Sequence, residues 1–453
     1  MEDNLRKNEK GYYARKKAQM SDNERVRDFQ RKLYQKAKQN KTFRFYSLYD
    51  KLYVHYVLRE AYRRCRANNG APGIDGLTFD DIEKEGLIPF LNNIQEELRT
   101  KTYRPQPVKR KYISKANGKL RPLGIPTIKD RVIQMACKMF IEPIFEADFE
   151  NESYGFRPKR DAGGAVRQIK ENLKNGLTEV LDADLSSYFD TIPHKELLIL
   201  LGKRISDRHV LHLIKMWLKT PISEKGKLSG GKKSKRGTPQ GGVISPLLAN
   251  IYLNTLDKAV NRKDGIFKRM GIKIVRYADD FVLMGRTISA DAEWYLQGLM
   301  KRFKLEINTQ KTNKVDAKEK AFDFLGFTFR FDKDLFGQEK KYWNVEPSKK
   351  SLKKFSVKFS ERLKEIRHYG KRDLVKELNM LLRGWLNYFE IPKVSYPAKI
   401  NRRLRWYIMM KLYRYYKRKS QRRCKLYNQG AFNILVKRYG LINPATYRRS
   451  VNA

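Results

Sequence analysis

The sequence predicts an α+β fold, in which an antiparallel sheet carries acids on one face and helices cover the other, followed by a bundle of α-helices. Three observations predict it. Two short apolar runs, residues 272–276 and 281–284, flank Tyr277-Ala278-Asp279-Asp280 and are bounded by Gly271 and Gly285, which reads as a β-hairpin with acids at its tip. Residues 180–185 alternate as a strand that presents Asp182 and Asp184, with Tyr188-Phe189-Asp190 soon after it. Beyond Phe324-Leu325-Gly326-Phe327, apolar residues recur at helical spacing in three successive stretches.

The chain has 453 residues, enough for about three domains of ordinary size, and 41% are hydrophobic, which allows a sizeable core. Lys and Arg number 98 against 49 Asp and Glu, a formal net charge of +49. Such a balance points to a polyanion partner, and its spread along the chain to an extended nucleic-acid track, without saying which nucleic acid. A membrane surface is the rival. The sequence offers no long apolar run, signal-peptide core or amphipathic anchor, so a soluble, cytoplasmic protein is predicted, with association with a bacterial nucleoid left open. Cys65, Cys137 and Cys424 are too scattered for a disulfide framework or a zinc site. Five histidines form no ligand pattern, and His209 and His212, one helical turn apart, read as structural.

Residues 1–45 read as a basic arm, mobile or helical, that orders on nucleic acid. Helical spacing then runs from Tyr46 to Arg66, and Gly70-Ala71-Pro72-Gly73-Ile74-Asp75-Gly76 breaks it with a compact loop. Residues 108–123 alternate around Asn117-Gly118, a strong hairpin signal. Lys115 and Arg121 flank that turn and could face triphosphate oxygens, or be solvated hairpin cations. A helical pattern begins at Arg131, and residues 153–158 form a loop whose Arg157 and aromatics are candidate template contacts. Pro193 suits the first turn of one helix, and a second follows Ser206 and Asp207. Gly237-Thr238-Pro239-Gln240-Gly241-Gly242 is a loop whose glycines permit close backbone approach to a ligand, and Ser245 and Pro246 look like N-cap and first position of the next helix.

If the 180–185 strand lies beside the 272–284 hairpin, Asp184 faces Asp279 and Asp280. Three carboxylates from two places in the chain are what two-metal phosphoryl transfer requires: one metal activates an attacking 3′-hydroxyl, the other stabilises the leaving pyrophosphate. Hard cations such as Mg²⁺ take carboxylate oxygens together with substrate phosphates. The alternative is a solvated Asp-Asp turn and a strand end whose acids cap the next turn. In the C-terminal region Leu352, Phe355, Phe359, Leu363 and Ile366 define one helix, Leu374 to Phe389 a second and Ile400 to Ile408 a third. Lys353, Lys354, Lys358, Arg402, Arg403 and Arg405 fall between the apolar positions, on an outer face that can bind phosphates. Residues 413–449 interleave Tyr with Lys and Arg, which suits backbone contact and stacking.

Several long stretches together resemble the reverse transcriptases and maturases encoded by group II introns. They are the run RPLGIPTIKDRVIQ from Arg121, SYGFRP from Ser153, DADLSSYFD from Asp182, GTPQGGVISPLLANIYLN from Gly237, YADD from Tyr277, the segment 308–312 with Lys311, FLGF from Phe324 and RGWLNYF from Arg383. They occur in the family's order and span roughly residues 46–445. The resemblance implies a right-hand polymerase: fingers and palm with an antiparallel sheet over 46–342, a helical thumb or maturase domain over 343–420, and basic segments at 1–45 and 421–453. It implies that Asp184, Asp279 and Asp280 hold catalytic Mg²⁺, with Mn²⁺ as an alternative, and that Lys115 and Arg121 contact the incoming triphosphate. By the same likeness Phe189 lies against the sugar and excludes a 2′-hydroxyl, Gln240 helps place the nucleotide, the 70–76 loop clamps the template, and Arg157, Lys311 and the bundle cations bind nucleic acid.

The expected activity is RNA-directed DNA synthesis from dNTPs on an RNA template, from a DNA or RNA primer, with binding of intron RNA to assist splicing and mobility. A zinc-dependent endonuclease, which many family members carry, is not expected, for want of paired cysteines. The rivals are an RNA-binding splicing cofactor with little polymerase activity and a free-standing reverse transcriptase of host defence or repair.

Overall fold

A computed structural model of the chain describes residues 20–114, 120–239, 241–308, 310, 312–333, 341–417 and 425–448. Lys115, Gln240 and Lys311 of the predicted site lie outside the described residues, as does the Asn117-Gly118 turn.

The predicted hairpin before residue 125 is present as β1 (Val108–Ser114) and β2 (Leu120–Ile125), paired antiparallel. A second short hairpin, β4 (Pro221–Glu224) and β5 (Lys227–Gly230), extends this sheet through a parallel β1–β4 contact. The central sheet has the order β6-β7-β3-β8, formed by β3 (Glu179–Asp184), β6 (Lys273–Tyr277), β7 (Asp280–Gly285) and β8 (Asn313–Asp316), all pairs antiparallel. A third sheet, β11-β10-β9, consists of β9 (Phe322–Phe324), β10 (Phe327–Lys333) and β11 (Lys341–Pro347).

The period of two along β3 and β7 divides the central sheet between two cores. Leu181, Ala183, Phe281 and Leu283 point into a large core shared with helices. Val180, Val282 and Met284 point the other way, into a core built with the third sheet. On the first side lie α1 (Asp22–Gln39), α2 (His55–Ala67), α3 (Ile128–Glu146) and α5 (Ser245–Asn261). On the second lies α4 (Ala162–Lys174), through Ala165, Val166, Ile169 and Leu173.

Helix starts follow local chemistry. Thr127 caps α3 by accepting from the Asp130 amide at 3.1 Å, so this helix begins three residues before the predicted Arg131. Arg131 instead turns its guanidinium to the carbonyls of Pro126 at 2.9 Å and of Gly70 and Ala71, holding the 70–76 loop against the helix. Asp207 caps the Arg208–Leu218 helix through the His209 and Val210 amides, as its position predicts. Ser245 is not a cap: its hydroxyl donates to the Pro239 carbonyl at 2.8 Å, and Ile244 takes the cap position.

The second half of the N-terminal arm is helical, one of the two expected alternatives, but it is docked on the core and not left to order on nucleic acid. α1 starts at a Ser21–Glu24 capping box and is docked, with Val26, Leu33 and Ala37 buried and the Phe29 ring edge-on to Phe140 at 4.9 Å. Four apolar positions spaced along one helix make a narrow stripe that the surrounding Lys and Arg obscure in a composition reading.

The C-terminal bundle contains the three predicted helices, α6 (Lys349–Glu365), α7 (Lys371–Phe389) and α8 (Ala398–Lys417). A further helix from the predicted tail, α9 (Ala431–Tyr439), packs Phe432 and Leu435 into the core that holds Phe359, Leu378, Leu404 and Leu412. The bundle is tied to the sheets. Lys170 of α4 donates from Nζ to the carbonyl of Val394 at 2.8 Å and lies 4.5 Å from the Tyr396 ring centre, while the Tyr396 amide donates to Val345 of β11 at 2.7 Å.

Candidate active site

Asp184 ends β3 and Asp280 begins β7, and the register sets them directly opposite one another. Cβ atoms in such pairs lie about 4.5–5.5 Å apart on one face of the sheet. Asp279 belongs to the two-residue loop that joins β6 to β7, since Tyr277 pairs with Asp280. The first loop residue, Ala278, has φ 58°, the left-handed conformation that two-residue hairpin turns demand. Further along the same face Val282 and Met284 are buried, so the carboxylates stand where the core gives out; Asp184 and Asp279 are half-buried and Asp280 is exposed.

The carboxylates on this face have oxygen donors suited to a hard cation, with remaining positions left to phosphates and water. Among the described residues, no three His, Cys, Asp or Glu side chains gather closely enough to hold a metal ion by themselves. The strand pairing thus brings Asp184 and Asp280 together, and Asp279 adjoins them in the chain. Asn308 supports Asp184 from β3's other edge: its amide donates to the Asp184 carbonyl at 2.8 Å and its Nδ2 to the carboxylate at 3.4 Å.

Two residues back on the same face, the Asp182 carboxyl is pushed up to about 6, chiefly by burial, then by the negative charges of Asp184 and Asp323; Lys350 opposes the shift. Asp182 and Asp323 line a groove of about 600 Å³ whose other wall includes Lys349, Lys350 and Arg403. The groove thus lies between Asp182 and Asp323 and the cationic start of α6 and α8.

Beneath the turn, on the face opposite the acids, Arg276 of β6 is wholly buried with Asp257 of α5. Its Nε donates to one Asp257 oxygen at 2.8 Å and its Nη2 to the other at 2.5 Å. Its remaining bonds go to Asn250 Oδ1 at 3.1 Å, Ser153 Oγ at 2.7 Å and the Ala278 carbonyl at 2.8 Å. Removing one partner of such a pair strands a buried charge, at about 3–5 kcal/mol. Gly155 packs against the turn so closely that a Cβ there would sit 2.3 Å from the Ala278 nitrogen. The next residue, Phe156, is exposed and held at φ 56°.

Phe189 lies on the Tyr188–Thr191 turn just past Asp184, 8% exposed, edge-on to Tyr188. Its carbonyl accepts from the Thr238 amide at 2.7 Å, which pins the 237–242 loop beside it. Gly241 has φ 109°, and a Cβ there would meet the Gly124 carbonyl of β2 at 2.3 Å, so the loop is wedged between β2 and the Phe189 turn. Arg121, exposed near the start of β2, is on this sheet, opposite Ile113.

Arg157 does not reach outward as a template contact. It is buried, chelates Glu146 through Nε and Nη2, donates to the Ser153 carbonyl at 2.8 Å and stacks over Phe149. A guanidinium answered by an acid and carbonyls has no donors aimed at phosphate. Lys353, Lys354, Lys358, Arg402, Arg403 and Arg405 are exposed on α6 and α8, as their spacing predicts. The Asp257–Arg276 pair and Asn250 were missed. The available signal was a charge, Arg276, directly following the apolar pair Ile274-Val275.

Residues 113–329 match the family described as reverse transcriptase (RNA-dependent DNA polymerase), and residues 352–428 the group II intron maturase-specific domain. The chain is 35% identical over 349 residues to Protein YkfC of Escherichia coli strain K12, covering 69% of this chain and 90% of that protein. It is 32% identical over 340 residues to the group II intron-encoded protein LtrA of Lactococcus lactis subsp. cremoris, covering 61% of this chain and 55% of that one. A putative COX1/OXI3 intron 2 protein of Saccharomyces cerevisiae is 32% identical over 209 residues, 46% of this chain and 24% of that protein. The chain thus matches nearly the whole of the first relative and little more than half of the second. Among the described residues no helix is long and apolar enough to cross a membrane.

Proposed function

We propose, from the premise that the chain belongs to the family of group II intron-encoded reverse transcriptases and maturases, that it extends a primer on an RNA template by adding deoxynucleotides. The observation that carries this reading is the register of the central sheet, which opposes Asp184 to Asp280 at the strand ends with Asp279 in the adjoining turn. Asp184, Asp279 and Asp280 would hold Mg²⁺, or Mn²⁺ in its place. The bound cations would lower the pKa of the primer 3′-hydroxyl and neutralise charge on the leaving pyrophosphate.

The chain's own work is positioning. Asp184 is steadied by Asn308, and the turn that bears Asp279 is steadied from below by Arg276. Arg121 and Lys115 take the triphosphate oxygens, and Gln240 helps seat the nucleotide on the loop pinned by Thr238. Phe189 forms the floor under the sugar and leaves no room for a 2′-hydroxyl. The cations of α6 and α8 bind RNA phosphates, including those of a parent intron whose splicing and mobility the protein assists.

The test is primer extension on an RNA template in Mg²⁺, with the parent protein beside Asp279→Asn. The parent should incorporate dNTPs and the variant should not, at equal thermal stability. A parent that binds RNA but never extends a primer would instead be a splicing cofactor.

A further inference from the structure

We propose that the buried Asp257–Arg276 pair is the positioning device of the carboxylate turn, acting through the peptide that links Ala278 to Asp279; the inference rests on the polymerase reading above. Arg276 donates from Nη1 to the Ala278 carbonyl at 2.8 Å. That carbonyl and the Asp279 nitrogen belong to one planar peptide unit, so a bond that fixes the first fixes the direction in which the Asp279 Cα leaves the turn. Ala278 sits at φ 58°, which the hairpin requires but a residue bearing a Cβ disfavours, and the bond to its carbonyl helps hold it there.

The guanidinium is suited to that task because it cannot itself turn. Its other partners come from two separate segments: Asp257 and Asn250 from α5, and Ser153 from the stretch bridged in parallel to Arg276 itself. Both members of the pair are 0% exposed, so water cannot compete for any of these bonds. A strand core needs no charge for packing, and apolar residues of similar volume would serve stability as well or better. The same shell closes on the turn from the other side. Asn250 donates from Nδ2 to the Gly155 carbonyl at 2.8 Å, and Gly155 backs directly onto the Ala278 nitrogen. Arg276 is therefore a positioning residue: it touches no substrate and acts through Asp279.

The device predicts an interaction between two substitutions. Arg276→Lys keeps the charge opposite Asp257 but lacks the planar fork that serves all these acceptors at once, so the Ala278 peptide loses its anchor. Ala278→Gly removes the Cβ and lets the turn adopt positive φ unaided. Single-turnover incorporation at saturating dNTP should fall about 10- to 100-fold in Arg276→Lys, with dNTP half-saturation and RNA affinity within about twofold of the parent. In the double variant at least about tenfold of that loss should return.

Mn²⁺ binding to the free protein, followed by electron paramagnetic resonance, gives a readout independent of turnover: weaker in Arg276→Lys, recovered in the double variant. If Arg276→Lys melts early, Ser153→Ala, which leaves the ion pair intact, takes its place in the cycle with a smaller effect in the same direction. Strict additivity of the two substitutions in both readouts overturns the inference and makes the pair merely structural. A parent that extends no primer sinks the polymerase reading, and the Mn²⁺ cycle still decides whether Arg276 sets the turn.

Discussion

At the tip of β6 and β7 the groups that set the backbone are buried and paired: Arg276 with Asp257, Asn250 with Gly155, the Ala278 carbonyl with Arg276. On α6 and α8 the opposite holds, and Lys353, Lys354, Lys358, Arg402, Arg403 and Arg405 stand in solvent above a core of Phe359, Leu404 and Ile408. On the proposed reading, the difference follows from what each surface would meet. A cation shared by carboxylates tolerates ligand errors of about 0.2 Å, whereas attraction between a side-chain cation and a phosphate reaches about 8 Å at physiological salt. Precision needs a buried polar foundation; affinity needs only charge on a firm helix.

Substitutions that separate the two surfaces test this contrast. The largest effect belongs to the acids: Asp279→Asn should lower dNTP incorporation by about 10³-fold or more, the several kcal/mol attributable to metal-stabilised charge. In filter binding it should hold structured RNA within about twofold of the parent. A parallel fall in RNA affinity would mean that the two surfaces are one.

Reversing Arg402, Arg403 and Arg405 to Glu should do the converse. A salt titration of RNA binding should flatten by about 2 in the slope of log affinity on log salt, at about 0.7 for each single-strand phosphate no longer neutralised. Turnover on a saturating, short primer–template should change far less. An unaltered slope would make that face a solvated one.

Phe189→Ala should raise ribonucleotide use relative to deoxyribonucleotide use by roughly 10- to 100-fold, the discrimination a shaped apolar surface supplies. Competition assays with dNTP and rNTP measure it. An unchanged ratio, with lowered stability, would assign the ring wholly to the core it shares with Tyr188.

The smallest effect concerns Asp182, whose carboxyl ionises near pH 6 in the folded chain and near 3.8 when free. Ionising it costs stability, so the cost is absent below about pH 4, grows through pH 6 and is complete above it. In EDTA, Asp182→Asn should therefore melt higher than the parent at pH 7.5, with the gap closing toward pH 4. A gap of constant size across that range would contradict the burial argument.

Local rules made the acid-bearing hairpin legible, because two short apolar runs bounded by Gly271 and Gly285 flank Tyr277–Asp280, and the structure pairs them as expected. The pairing of β3 with β7 was a conditional in the sequence, since the join between distant strands is decided by packing. Regular amphipathic spacing likewise announced α6, α7 and α8. What escaped has a common cause: a residue's partner was far away in the chain. Val26, Leu33 and Ala37 form too thin a stripe to announce α1 without α3 to receive it. Phe432 and Leu435 of α9 were hidden among Tyr, Lys and Arg for the same reason. Arg157 looks in sequence like any surface cation and Arg276 differs only in following an apolar run, so it takes Glu146 and Asp257 to reveal them as interior struts.

The joint at residues 391–396 has a mechanical consequence. Ile391 and Val394 are buried in the core that also holds Val180 and Val282, Lys170 grips the joint's carbonyls from α4, and Trp385 touches both this core and the bundle's. Among the described residues, the sheet that bears the acids and the helices that bear the cations are thus joined by packed side chains. On the proposed reading, a strand drawn across the cations of α8 would load α4 and the β3–β7 ladder through this same joint.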